Sequence, residues 1–231
     1  MHATLNHPRR ALGTLALVGC QLGPASSSAD RSRRAAQTPL ALPAPRREGV
    51  LSLEAALQRR RSIRSFTSET LATAQIGQLL WAAQGVTDPQ GFRTAPSAGA
   101  LYPLECYVVT ATGAFHYEPA RHRLQPRADN DLRGALAAAA LGQEAVAAAP
   151  AVVVIAAVYE RTARKYGNDR ARRYATLEAG HAAQNVLLEA VALGLGGVPV
   201  GAFDDGEVAR LLDLGSGETP LYLIPVGHPR P

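Results

Sequence analysis

Several residue types are scarce in this chain, and each scarcity excludes a class of protein. Two cysteines among 231 residues are too few for a disulfide framework, and the apolar run around Cys106 predicts a small buried thiol. No stretch of 18 or more apolar residues occurs, which excludes an ordinary membrane-spanning helix. Aromatic residues make up 5% of the chain, so alanine, valine and leucine must fill most of its core.

Lysine is nearly absent as well, and the positive charge that arginine supplies is unevenly placed. The formal net charge is +5, but residues 1–48 hold seven arginines against only Asp30 and Glu48 and so account for all of it. Residues 49–231 contain 17 basic and 17 acidic side chains. A balanced charge over this part of the chain argues against a nucleic-acid-binding domain.

The N-terminus resembles an export signal. Arg9 and Arg10 precede a short apolar run over residues 11–19, which has the length of a signal-peptide core. The four residues that end at Cys20 resemble a bacterial lipobox, in which Cys20 would be lipidated. The expectation is an exported protein, periplasmic or anchored to the membrane as a lipoprotein. A disordered leader or a misassigned start codon is the alternative, with the protein then cytoplasmic.

Composition divides the chain into three parts. Residues 1–20 are the expected signal peptide, and residues 21–48, rich in Ala, Ser, Pro and Arg, are expected to form a flexible linker. Residues 49–231 contain the periodic apolar pattern of a folded domain. This length suits one domain of ordinary size.

The pattern of the domain predicts an α+β fold with helices on both sides of a small mixed sheet. Ser52 is a good N-cap for the first helix, and Thr70 for the second, which Gly85 should end. A continuous apolar run with β-branched residues at 151–159 indicates a strand covered on both faces. We expect helices at 53–60, 71–84, 129–149, 169–195 and 206–214, and strands at 104–110, 114–117, 123–126, 151–159, 198–203 and 220–226.

Four arginines and two serines lie together directly after the first helix, in the segment Arg59 to Phe66. The planar guanidinium fork suits phosphate, and a serine hydroxyl adds a further donor. The segment therefore indicates an anion site. The alternative is a solvated basic surface at a helix C-terminus, where cations are favoured in any case.

Three further segments carry small or polar residues in unusual density. Small residues run from Thr94 to Pro103, where a backbone could approach a flat ligand closely or simply turn into a strand. On the long helix, Glu178, His181 and Gln184 share one face; packing between helices would explain them equally well. The glycines at 194–197 that follow this helix could serve only as its C-terminal cap.

Taken in order, RRSIRSF, PSAGALYPLE, LEAGHAAQN, GLGGVPVGAF and a terminal PVGHP resemble the nitroreductase superfamily, and most closely its SagB-type dehydrogenase branch. The resemblance covers residues 51–230. It implies a homodimer with FMN at the subunit interface. By the same resemblance, the FMN phosphate and ribityl chain should be bound by Arg60, Arg61, Ser62 and Arg64, with Arg230 completing the phosphate site. The isoalloxazine should be reached from the other subunit by Pro96, Ser97, Ala98 and Gly99. The residues implied to lie against the ring are Gly196, Gly197 and Val198.

Lys165, the only lysine in the chain, is followed by Tyr166, and some peptide-azoline oxidases of this branch use a Lys-Tyr pair as acid and base. A surface charge is the alternative. The leading interpretation is an FMN enzyme that takes electrons from a donor such as NAD(P)H and passes them to a small organic molecule by a ping-pong cycle. NAD(P)H would dock transiently, because no GxGxxG motif is present. A peptide thiazoline or oxazoline dehydrogenase, and a membrane-tethered flavin-binding protein without turnover, are the alternatives.

Overall fold

The computed structural model describes residues 38–230, and the seven strands of this part of the chain form one antiparallel sheet. They are β1 (Leu40–Ala41), β2 (Leu104–Thr110), β3 (Gly113–Glu118), β4 (Arg123–Ala128), β5 (Ala151–Val158), β6 (Gly196–Gly197) and β7 (Glu218–Gly227). The order across the sheet is β1-β4-β3-β2-β5-β7-β6. The expected α+β class is confirmed, and the pairings between these strands are all antiparallel where a mixed sheet was expected.

Helices cover both faces of this sheet. Within the described residues they are α1 (Leu53–Arg59), α2 (Thr73–Gln84), α3 (Arg133–Ala139), α4 (Glu144–Ala148), α5 (Tyr159–Tyr166), α6 (Asn168–Ala192) and α7 (Asp205–Leu211). Helices α2 and α6 pack on one face, and α3, α4 and α7 on the other. None of these helices is both long enough and apolar enough to cross a bilayer.

Strand β5 lies at the centre of the molecule. It pairs with β2 on one side and with β7 on the other, and Val152, Val153, Val154 and Ile155 are at most 1% exposed. Val153 and Ile155 point towards α2 and α6, while Val152 and Val154 point towards α3, α4 and α7. Burial on both faces explains why this strand is a continuous apolar run instead of an alternating one.

The long helix α6 meets the sheet mainly through alanines. Ala175, Ala179, Ala182 and Ala183 are buried at this contact. Because alanine has a single methyl group, the helix backbone can approach the sheet closely without large side chains between them. The low aromatic content of the sequence is thus accommodated by close packing.

Most predicted elements are present, with shifted ends. Ser52 caps α1 as predicted, its hydroxyl accepting a hydrogen bond from the Ala55 N–H at 3.2 Å. The hairpin of β3 and β4 and the end of α2 at Gly85 are also confirmed. Thr70 is not the cap of α2, which begins at Thr73 after Ala72, whose N–H donates to Gln75 Oε1 at 2.8 Å.

Three local predictions were wrong. Residues 129–149 form α3 and α4, and not one helix, because the chain turns at Leu141 and Gly142, which both have positive φ. Residues 159–166 form a helix, α5, that the apolar pattern assigned partly to the preceding strand. Residues 198–203 make only a single bridge, between Val200 and Leu223, while the short strand β6 lies just before them.

Residues 38–48 pack on the domain, although the sequence predicts a linker up to residue 48. Leu40 and Ala41 pair with β4, and the Leu42 N–H donates to the carbonyl of His122 at 3.1 Å. Further along, the Arg46 backbone exchanges two hydrogen bonds with the Gln78 side chain, at 2.8 and 3.0 Å. The packed domain therefore begins before residue 49. The expected signal peptide, Cys20 and the first part of the linker lie outside the described residues and stay predictions.

Truncation of Leu42 to alanine should destabilise the protein by about 2–3 kcal/mol, because its side chain is 8% exposed and packs on the main core. The free energy of unfolding from urea denaturation measures this loss. Leu40→Ala is the matched control from the same segment, with a side chain that is 45% exposed. Equal stabilities of the Leu42→Ala variant and the unaltered protein would show that this segment contributes nothing to the fold.

Candidate functional site

The arginine-rich segment after α1 runs along the free edge of the sheet. Ser62 forms a parallel bridge with Gly197, and the Ile63 N–H donates to the Gly197 carbonyl at 3.1 Å. The segment is therefore held by backbone hydrogen bonding to β6. The structure brings together two of the predicted site segments that are far apart in the sequence.

The two glycines of β6 permit close packing on different sides. A Cβ atom at Gly196 would lie 2.6 Å from Cγ1 of Ile63, and one at Gly197 would lie 3.0 Å from the carbonyl oxygen of Pro225. Distances this short are not tolerated between non-bonded atoms without a shift of one of them. Gly196 therefore allows the arginine segment to lie against the sheet, and Gly197 allows β6 to pack closely on β7.

The C-terminal segment lies on the other side of the same arginines. The Thr67 N–H donates to the His228 carbonyl at 2.9 Å, and the Arg230 N–H donates to the Ser65 carbonyl at 3.0 Å. Between these two bonds, Phe66 pairs with Pro229. The structure thus places the backbone of Arg230 beside the arginine segment.

Four guanidinium groups in this region have no acidic partner among residues 38–230. We call Arg60, Arg61, Arg64 and Arg230 the arginine group; none of the ion pairs between described residues includes any of them. Arg61 donates only to the backbone carbonyls of Gln58 and Arg60, at 2.9 and 2.7 Å. Cations without acidic partners on adjoining backbone segments favour a polyanionic ligand such as phosphate.

A second candidate surface is the loop at residues 96–102 that leads into β2, which we call the serine loop. The Ser97 hydroxyl accepts a hydrogen bond from the Tyr102 N–H at 2.9 Å, and the Ser97 carbonyl accepts one from the Ala100 N–H at 3.0 Å. Gly99 adopts a φ of 66°, in the left-handed region that favours glycine. The loop is a tight turn with a fixed backbone.

Two arginines hold the serine loop in place. Arg93 lies over the ring of Tyr102, 4.6 Å from its centroid, and donates to Gln84 Oε1 at 2.8 Å. Arg161 donates to the Tyr102 carbonyl at 3.0 Å and pairs with Glu105. Neither arginine is among the predicted site residues. Each contacts the serine loop only in the folded structure, and such a contact leaves no motif in the sequence.

Lys165 and Tyr166 lie against the serine loop at Gly99. A Cβ atom at Gly99 would be 2.8 Å from the Tyr166 hydroxyl and 3.0 Å from Lys165 Nζ. The Tyr166 ring also contacts Tyr174 edge-on, with 5.2 Å between the centroids. The predicted Lys-Tyr pair is therefore next to the predicted flavin-lining residues Ser97, Ala98 and Gly99, although α5 follows β2 by some fifty positions in the sequence.

The three polar residues of α6 have different environments. His181 is exposed and Gln184 is half-buried, whereas Glu178 is 3% exposed. Burial raises the pKa of Glu178 to about 7, and the hydroxyl of Ser97 and the charge of Arg93 oppose that rise. In the sequence these residues form one polar face of the helix. Only the packing of the folded chain shows that Glu178 alone among them is buried.

The arginine group and the serine loop lie at opposite ends of the central strands. Leu104, which follows the serine loop, pairs with Ala157 at one end of β2. Thr110 pairs with Ala151 at the other end, where Gly197 pairs with Val226 and the arginine group begins. Seven residues of extended chain span about 20 Å. One subunit therefore presents two separate half-sites.

Comparison with known proteins identifies similar chains. The family model described as "Nitroreductase family" matches residues 57–228. A protein of Methanocaldococcus jannaschii named as a "putative nitroreductase" is 48% identical over 184 residues, covering 77% of this chain and 91% of the relative. A solved structure from Ralstonia eutropha with the same description has 30% identity and a TM-score of 0.77, covering 84% of this chain and 91% of the other. Nitroreductase A from Vibrio parahaemolyticus has 25% identity and a TM-score of 0.60, covering 79% and 70%.

Proposed function

Because the chain belongs to the nitroreductase family and is therefore an oxidoreductase, we propose that it uses FMN, bound between two copies of the chain. Electrons pass from a donor such as NAD(P)H to a small organic substrate in a ping-pong cycle. The observation that carries this proposal is the arginine group, four arginines on two adjoining backbone segments without carboxylate partners among the described residues. The serine loop and the Lys165–Tyr166 pair beside it support assignment to the SagB-type branch.

The chemistry of the arginine group fits the phosphate of FMN. A doubly charged phosphate requires several fixed donors, and guanidinium groups supply pairs of N–H bonds in a plane. Arg60 and Arg64 lie on the segment that backbone bonds tie to β6, and the C-terminal segment that carries Arg230 is bonded to the same segment. In this proposal Arg61 and Ser62 complete the phosphate and ribityl contacts, and the backbone of residues 196–198 faces the ring.

Replacement of both Arg60 and Arg64 by alanine should abolish FMN retention, because it removes two of the charges that face the phosphate. Flavin absorbance after desalting, per mole of protein, measures the retained FMN. A variant with Arg121→Ala and Arg210→Ala loses the same net charge from residues that pair with Glu118 and Glu207, so it should keep its flavin. Equal flavin content in both double variants would contradict the phosphate assignment.

A second copy of the chain completes the site in this proposal. The arginine group and the serine loop of one subunit lie at opposite ends of a seven-residue strand. In this proposal, one flavin therefore contacts the arginine group of one subunit and the serine loop of the other. A groove of about 320 Å³ lies between α1, α2 and α6, and its apolar lining includes Leu53, Trp81 and Leu188. Leu53 is 60% exposed, and the buried Trp81 Nε1 has no hydrogen-bond partner within the described chain. An apolar groove of this kind is a surface that an associating subunit covers.

Replacement of Leu53 by glutamate should convert the dimer to monomer, because it places a charge in the groove that the second copy covers. Light scattering coupled to size-exclusion chromatography reports the mass, and the flavin content should fall with the loss of dimer. The control is Leu141→Glu, which alters a side chain that is 74% exposed in the turn between α3 and α4. A Leu53→Glu variant that remains a dimer would place the interface on another surface.

The residues beside the serine loop have the chemistry to move a proton. Bound FMN would supply the two-electron carrier that accepts and returns hydride. Lys165 Nζ and the Tyr166 hydroxyl both lie at Gly99, at the surface of the loop that would face the ring. In the proposed mechanism one of them gives or takes the proton that accompanies hydride transfer, and the serine loop excludes water from that side.

Lys165→Met and Tyr166→Phe should each lower kcat by about 10²–10⁴-fold while leaving the flavin content unchanged, because each removes a proton-transfer group and no phosphate contact. Steady-state assays with NADPH and a quinone measure kcat. Arg164→Ala on the same helix, where Arg164 pairs with Glu160 at the surface, is the control and should have unaltered kcat. An unchanged kcat in both Lys165 and Tyr166 variants would limit these residues to supporting the loop.

The position of the Lys165–Tyr166 pair favours one second candidate, the oxidation of thiazoline or oxazoline rings in modified peptides. Such a reaction removes hydride from the substrate ring and a proton from the adjacent carbon, so it requires a base near the flavin. Anaerobic mixing of the FMN-loaded protein with an azoline-containing peptide tests this candidate. Bleaching of the flavin band by the peptide supports this candidate. Bleaching by NADPH but not by the peptide rejects it.

A further inference from the structure

Glu178 is the charged residue whose burial most needs a functional explanation. Its side chain is 3% exposed in the middle of α6, and its Oε1 atom has no hydrogen-bond partner among the described residues. A buried carboxylate without partners is costly, whereas a carboxylic acid is much less so. The residue is therefore suited to hold a proton inside the protein.

The carboxyl group of Glu178 faces the serine loop. The Ser97 hydroxyl and the charge of Arg93 both act to lower the pKa of Glu178, so both groups lie near its carboxyl group. The nearby charged and titratable groups are Arg93, in the loop after α2, and Cys106 on β2. Lys165 and Tyr166 lie at Gly99, two residues from Ser97, and Tyr174 and His181 lie about one turn from Glu178 along α6. Of these, Arg93 and Cys106 interact electrostatically with the carboxyl group.

The hydroxyl of Ser97 has only one proton to donate. It can accept two hydrogen bonds, and the Tyr102 N–H occupies one of these positions at 2.9 Å. An ionised Glu178 can only accept, so the Ser97 proton must point inward to it. A protonated Glu178 can instead donate to the second acceptor position of Ser97, which leaves the Ser97 proton free to point outward.

We propose that Glu178 is a positioning residue for the flavin site, and that its proton decides whether the Ser97 hydroxyl donates outward to the bound flavin or inward to the carboxylate. This inference rests on the proposed FMN function, with the serine loop of one subunit lining the flavin held by the arginine group of the other. Glu178 acts through Ser97 and does not itself touch the flavin.

The protonation state of Glu178 changes near neutral pH. Because burial raises the pKa of Glu178 to about 7, the group is mostly protonated below that pH and mostly ionised above it. The outward hydrogen bond from Ser97 is thus present at lower pH and lost as the pH rises through about 7. Flavin affinity should follow the same direction.

The test is the dissociation constant of FMN, measured by quenching of flavin fluorescence between about pH 5.5 and pH 8.5. For the unaltered protein this constant should rise about 3- to 10-fold as the pH rises, the effect of losing one hydrogen bond. The Glu178→Gln variant should bind with a nearly constant affinity, because its amide donates to Ser97 at every pH. The Ser97→Ala variant should bind weakly at every pH.

Two controls separate this effect from others. The phosphate of FMN titrates in the same range, so riboflavin, which lacks the phosphate, is measured in parallel and should show the same difference between unaltered protein and Glu178→Gln. Parallel pH profiles of these two proteins would overturn the role of Glu178 while leaving the FMN proposal intact. Failure of the unaltered protein to bind FMN at any pH would overturn both.

The pH dependence of stability tests the protonation of Glu178 without any bound flavin. An acid whose pKa is raised by folding binds an extra proton in the native state between its ordinary and its raised pKa, so stability decreases as the pH rises through that window. The thermal midpoint of the unaltered protein should therefore fall relative to Glu178→Gln between about pH 4.5 and pH 7. A constant difference in thermal midpoint would show that Glu178 holds no proton and would overturn the proposal.

Discussion

The close approach of the arginine segment to β6 is the contact on which the rest of the site depends. The Ile63 N–H donates to the Gly197 carbonyl at 3.1 Å, and the side chain of Ile63 fills the space that a Cβ at Gly196 would occupy. Side chains larger than hydrogen at that position would push the segment away from the sheet. The C-terminal segment then brings Arg230 beside the arginine segment through its backbone bond to Ser65. Backbone hydrogen bonds, and not acidic side chains among the described residues, therefore fix where these arginines start from the chain.

The sequence predicted the parts of the fold that depend on local pattern. The buried strand at 151–158, the hairpin at 113–128 and the cap at Ser52 follow from period, turn residues and hydrogen-bonding chemistry within a few positions. The parts it missed depend on long-range contacts. Residues 38–48 are rich in proline and have no apolar period, and their contacts with β4 and Gln78 are long-range. Helix α5 begins without a side-chain cap, so no sequence signal separates it from the strand before it.

The candidate site divides in the same way. Each motif taken singly has an ordinary structural explanation, and their order along the chain led to the family resemblance before any contact was known. The placement of Arg230 beside Ser65 and of Lys165 beside Gly99 needed the tertiary structure, because each pair is separated by many residues. The burial of Glu178 could not be predicted, since on the sequence it shares a helical face with the exposed His181.

The two half-sites differ in their electrostatic character, and this difference divides the proposed work between them. The arginine group consists of guanidinium cations, which stay charged throughout the physiological pH range. Their contribution to the proposed phosphate binding should therefore hardly change with pH. The serine loop is instead surrounded by groups that can exchange protons, with Lys165 and Tyr166 at Gly99 and Glu178 behind Ser97. Permanent charge suits retention of a cofactor, whereas titratable groups suit hydride chemistry, in which a proton must move with the electrons. If the two half-sites lie at opposite ends of one sheet and meet only between subunits, dimerisation brings the retained cofactor to the proton-exchanging residues, and an isolated subunit can hold the phosphate without completing the reaction.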